Sequence, residues 1–143
     1  MNLVDANVLL YAVNEDAHHH RTARSWLDDA LSGGETVGLS WLVLLAFVRV
    51  STKVGLLPRP LPIDGAMDRV EAWLAAAPAV VVEPGVDHAR ILSRLVADLG
   101  AGGNLVNDAH LAALAVAHRG RIVSYDTDFA RFPGVEWIVP GAR

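Results

Sequence analysis

A chain of 143 residues with 52% apolar and 20% charged side chains is long enough to bury one core and too apolar to remain disordered. It contains no cysteine, which excludes disulfides, thiol nucleophiles and thiolate metal centres. Its formal charge of −4 argues against a nucleic-acid partner unless several acids are gathered at one site and neutralised there by cations.

The chain opens on the apolar run Leu3-Val4, stops at Asp5, and resumes with Val8, Leu9, Tyr11 and Ala12 at helical spacing. Asp5 therefore sits at a strand-to-helix junction, where it either caps the helix or faces the crevice outside the strand's carboxyl end. A second helix is expected from about His18 to Leu31, with Ala23, Trp26, Leu27 and Ala30 inward and Gly33-Gly34 ending it. His18-His19-His20 reads as a solvated helix start rather than a metal site, because neighbouring residues on a helix diverge. Thr36 to Leu39 is β-like, and Ser40 caps a helix, Trp41 to Val50, that is apolar almost all round. That apolar run, to Val48, is far too short to span a bilayer, and no basic-then-apolar leader opens the chain, so a soluble cytoplasmic protein is expected.

Three prolines between Gly55 and Pro62 form a stiff connector to a helix starting at Asp64, with Met67, Val70, Trp73 and Leu74 on its apolar side. Ala79 to Val82 fits a strand buried on both faces, and Val86 to Leu99 returns to helical spacing. After the flexible Gly100-Ala101-Gly102-Gly103, Asn104 is placed to cap a helix from Leu105 to His118. A strand from Arg121 to Tyr125, a turn at Asp126-Thr127-Asp128 and a short strand from Glu136 to Val139 complete the chain. Strands alternating with helices predict a single α/β domain over residues 1–143, a mostly parallel sheet of four to five strands covered on both faces.

Two more acids stand out. Asp108 falls on the buried stripe marked by Leu105, Leu111, Ala112 and Ala115, where it needs either backbone donors or a cation. Asp126 follows a strand, as Asp5 does, and two such ends of one parallel sheet can meet in one crevice. Asp128 either joins them or caps the Phe129-Ala130-Arg131 turn. Clustered carboxylates without a cationic neighbour call for a hard divalent ion such as Mg²⁺ or Mn²⁺, and the matching chemistry is metal-assisted hydrolysis of a phosphodiester. Serine-hydrolase and phosphate-loop chemistry have no foothold, since neither a Gly-x-Ser-x-Gly turn nor a Gly-Lys-Ser/Thr ending occurs.

Three blocks, Leu3-Val4-Asp5-Ala6-Asn7-Val8-Leu9-Leu10-Tyr11-Ala12, Asn107-Asp108-Ala109-His110-Leu111-Ala112-Ala113-Leu114-Ala115 and Ser124-Tyr125-Asp126-Thr127-Asp128-Phe129, resemble those of PIN-domain proteins, in the same order. More narrowly they are similar to VapC-type toxins of bacterial toxin–antitoxin pairs. The resemblance implies a three-layer α/β/α fold and a ribonuclease using Mg²⁺ or Mn²⁺, with Asp5, Asp108 and Asp126 as catalytic metal-binding acids and Asp128 assisting. It also implies a homodimer silenced by a small antitoxin. Arg49 and Lys53 are the candidates for positioning RNA phosphates. One position departs from the family pattern: the acid usual before Phe47 is Ala46, which cannot ligate a metal. Waters, Asp128, Asn7 or Asn104 would then fill in; the rival reading is a weak or inactive PIN-fold module that dimerises and binds an antitoxin.

Overall fold

The computed structural model describes residues 1–100 and 102–142, so Ala101 of the glycine-rich loop lies outside the described residues. Five short strands, β1 (Asn2–Val4), β2 (Val37–Leu39), β3 (Ala79–Val81), β4 (Arg121–Val123) and β5 (Trp137–Ile138), pair in the order β3-β2-β1-β4-β5, every pair parallel. Parallel neighbours need crossovers, supplied by α1 (Ala6–Val13), α2 (His20–Leu31), α3 (Trp41–Thr52), α4 (Ile63–Ala75), α5 (His88–Val96) and α6 (Leu105–Ala117). Helix α1 packs on α2 and α3, and α3 on α4; α5 and α6 pair with each other. The α/β/α architecture expected from the alternating pattern is the one formed.

Strand β1 is central because its apolar residues tolerate cover on both faces: Leu3 and Val4 are fully buried. It lies between β2 and β4, with Leu3 opposite Gly38 on one side and Ile122 on the other. A Cβ at Gly38 would stand 2.8 Å from Val82 Cγ2 and 2.9 Å from Leu3 Cδ1, so the layer closes only over a glycine there. Gly38→Ala is therefore expected to cost about 1–3 kcal/mol from overpacking. The urea unfolding midpoint measures it, and an unchanged midpoint would contradict this packing. At the amino ends of the strands, Asn2 donates to Glu35 (2.7 Å) and accepts from Arg121 Nε (2.7 Å), tying β1, the approach to β2, and β4 together.

Helix α3 starts where Ser40 places it, its hydroxyl accepting the Val43 amide at 3.3 Å. Val43, Leu44 and Phe47 are buried, and Phe47 meets Trp73 of α4 edge-on at 4.7 Å. Trp41, Leu42 and Leu45 are exposed, so the helix is apolar all round without being buried all round.

Three local expectations are corrected. The β3 run is not covered on both faces: it is an edge strand with Val80 and Val81 exposed, because strand order, which local composition does not encode, puts only β2 beside it. Asn104 makes no side-chain cap bond to α6; its backbone is already helical (φ −65°, ψ −20°), which turns the side chain away from the amides it would cap. The histidines before α2 are not simply solvated, since His19 stacks on Tyr125 at 4.3 Å and His20 Nδ1 bonds the Tyr11 carbonyl at 2.8 Å.

Candidate metal centre

Strands β1 and β4 are neighbours, so the residues just past their carboxyl ends, Asp5 and Asp126, come to the same edge of the sheet. The Asp5 amide donates to the Val123 carbonyl (3.0 Å), continuing the ladder one residue beyond β1. Asp5 is also a helix cap, Oδ1 accepting the Ala6 amide at 2.8 Å, so the two roles read from the sequence coexist. Helix α6 brings Asp108 in its first turn. One carboxylate oxygen each from Asp108, Asp126 and Asp128 can be chosen so that all three lie within 4.8 Å of one another.

Asp5 stands beside this trio. A pocket of about 100 Å³ is lined by Asp5, Asp108, Ala46, Arg49, Asn107 and Leu42 among others. Burial first, then Asp126, Asp5 and Asp128, push the Asp108 carboxyl up to about 7. Burial also raises Asp5, and Asp126 adds to it, against the lowering effects of the Ser124 hydroxyl and the Ala6 amide. Near neutral pH such a cluster is poised to exchange protons for a cation, and its all-oxygen donor set fits Mg²⁺ or Mn²⁺. The Arg131 guanidinium, 3.3 Å from Asp128, is largely exposed and does not neutralise the group.

The capping role expected for Asp128 belongs to Asp126, whose Oδ1 accepts the Asp128 amide at 2.9 Å and opens the 3-10 turn Thr127–Arg131. Asp128 is thereby turned toward Asp108 and Asp126. Of the two basic residues chosen for RNA, Arg49 borders the pocket, while Lys53 lies a turn further on as the exposed C-cap of α3. Ser124 was missed, and Asn7 was weighed only as a substitute ligand. Both bond Asp5; Ser124 directly follows β4 and Asn7 lies in the first turn of α1, and neither position has a pattern that sets it apart from an ordinary turn or helix-start residue.

Ala46 faces the same pocket, one helical turn before Val50 and beside the acids. Ala46→Glu is expected to tighten Mn²⁺ binding by about tenfold, since affinity at oxygen sites follows the number of charged ligands. Calorimetric titration checks this, and a weaker or unchanged affinity would mean that α3 stands too far away to ligate.

An all-parallel sheet with carboxylates gathered past its central strands defines an α/β protein with an acidic crevice at the carboxyl edge of the sheet. The PIN domain model matches residues 3–135, and the chain belongs to the PIN-domain family. It is 61% identical over 142 residues to Ribonuclease VapC37 of Mycobacterium tuberculosis, with 99% of each chain covered. VapBC2 from Rickettsia felis, solved bound to a DNA fragment from their promoter, shares the fold with a TM-score of 0.71 at 19% identity, over 96% of this chain and 97% of the other. A toxin–antitoxin complex from Klebsiella pneumoniae does so with a TM-score of 0.64 at 18% identity, over 98% of both chains.

Proposed function

We propose that residues 1–143 form a single PIN domain acting as a metal-dependent endoribonuclease, the toxin of a toxin–antitoxin pair. The observation that carries this reading is the full-length 61% identity to a ribonuclease, VapC37. In this reading Asp108, Asp126 and Asp128 hold Mg²⁺ or Mn²⁺ with Asp5 beside them. Such an ion, when bound, supplies positive charge to a phosphodiester's oxygens and makes water a better nucleophile at neutral pH. The chain's own residues do the rest. Arg49, at the pocket, orients a phosphate, and Lys53 extends the basic track along α3. Asp108, pushed up to about 7 by burial and its acidic neighbours, would have to be deprotonated to hold such an ion.

The protein works in the cytoplasm as a homodimer and is restrained by a small antitoxin; the relative solved as a toxin–antitoxin complex supports the last point. Among the described residues no helix is long and apolar enough to cross a membrane. The purified chain is expected to cut RNA only with Mg²⁺ or Mn²⁺ present, and Asp5→Asn to abolish cutting. Metal-independent cleavage that survives this substitution would sink the proposal. A second reading, a non-catalytic module, is favoured by one observation, Ala46 at the acid's usual place. Absence of Mn²⁺ binding at millimolar metal would decide for it.

A further inference from the structure

We propose that Ser124 and Asn7 are positioning residues, a hydroxyl–amide clamp that joins the ends of β1 and β4 and fixes the Asp5 carboxylate and the Asp126 backbone beside the cation site of Asp108, Asp126 and Asp128. The proposal rests on the nuclease reading above.

Ser124 is fully buried, yet every hydrogen-bonding capacity of its hydroxyl is used. The proton goes to Asp5 Oδ2 at 2.7 Å. The two lone pairs accept Asn7 Nδ2 at 3.0 Å and the Asp126 amide at 2.9 Å. Asn7 uses both ends of its amide as well: Nδ2 also reaches Asp5 Oδ2 at 3.2 Å, and Oδ1 accepts the Tyr125 amide at 3.1 Å. The Ser124 hydroxyl thus bonds the side chain of Asp5 and the backbone amide of Asp126. With no lone pair left over, Ser124 cannot itself ligate an ion.

The clamp is redundant as a fastening for the sheet. Strands β1 and β4 already pair along three residues, Asn2, Leu3 and Val4, and the Asp5 amide bonds Val123 beyond them. What the clamp adds is direction. Asp5 Oδ1 is held by the Ala6 amide and Oδ2 by two donors from the opposite side, so its carboxylate plane is set. Outer-shell partners of this kind govern how well ligands are presented, and losing one typically costs about 10–100-fold in metal affinity or activity.

The test compares Ser124→Ala, Ser124→Thr and Asn7→Ala with the unaltered chain. Calorimetric Mn²⁺ titration of the metal-free protein is read beside RNA cleavage with kcat and KM separated. Ser124→Ala is expected to weaken Mn²⁺ binding and to lower kcat, each by about 10–100-fold, with KM little changed. Ser124→Thr, which keeps the hydroxyl, recovers most of both, and Asn7→Ala moves in the same direction as Ser124→Ala. Should Ser124→Ala not fold, the Asn7→Ala comparison decides alone. Clamp variants that bind Mn²⁺ and turn over like the unaltered chain would overturn the positioning role while leaving the nuclease reading intact. An unaltered chain that neither binds Mn²⁺ nor cuts RNA would overturn both.

Discussion

Asp126→Asn is expected to lower RNA cleavage by roughly 100-fold or more while the protein stays folded. Asparagine keeps the side-chain oxygen that caps the 3-10 turn, so the local structure has what it needs. What it loses is the negative charge that, of the neighbouring carboxylates, acts most strongly on Asp108 and that also raises Asp5. Removing that repulsion brings both neighbours closer to ordinary carboxylic acids. The metal-free variant is therefore expected to unfold at the same or a higher urea concentration than the unaltered chain at pH 7. Cleavage assays with Mn²⁺ and urea titrations without it give the two numbers. A variant that cuts RNA normally would remove Asp126 from the mechanism, and one that is strongly destabilised would show that its charge holds the fold.

The second large effect is on stability. An ion that binds only the folded chain stabilises it by about 2.7 kcal/mol at a free concentration of about 100 times its Kd. For a chain of this size that raises Tm by roughly 5–10 °C. The gain depends on pH. Asp108 titrates at about 7 in the folded metal-free protein and near 3.8 when unfolded. Between those values the folded state holds the extra proton, so this group's contribution is fully present below the lower value and is lost as pH rises through about 7. Asp5 is raised too and acts in the same sense. Metal-free protein is thus expected to lose stability from pH 4 toward pH 7 by this contribution, and Asp108→Asn to flatten that slope. Mn²⁺ restores the loss at pH 8 but does little at pH 5, where it must displace the Asp108 proton. Thermal melts at the two pH values, with and without Mn²⁺, check the pattern; an equal shift at both would place the ion elsewhere.

Much of the fold could be read from the chain because the signals are local. Short apolar runs marked β1 and β4, helical spacing marked α2 and α6, and Ser40 marked the start of α3. Asp5 and Asp126 were legible for the same reason, each standing where an apolar strand stops. Long-range facts were not. The edge position of β3 depends on strand order, and nothing in Ala79-Val80-Val81 encodes which side stays open. The exchange of roles between Asp126 and Asp128 turns on a two-residue offset at the start of a 3-10 turn, below the resolution of pattern reading. Ser124 carried no periodic signal, because a small polar side chain at a strand end fits a turn equally well; its importance appears only when Asp5 is brought 119 positions along the chain to meet it.

That separation bears on when the protein becomes competent during synthesis. Asp5 directly follows β1, while its partners Ser124 and Asp126 are made only after α1 to α6. A partly translated chain can pair β1 with β2, but it has no carboxylate cluster, because the edge of β1 that β4 will occupy is still vacant. Closing so long a loop is among the slower events in folding. The four acids therefore come together only once β4 has been made and has paired with β1.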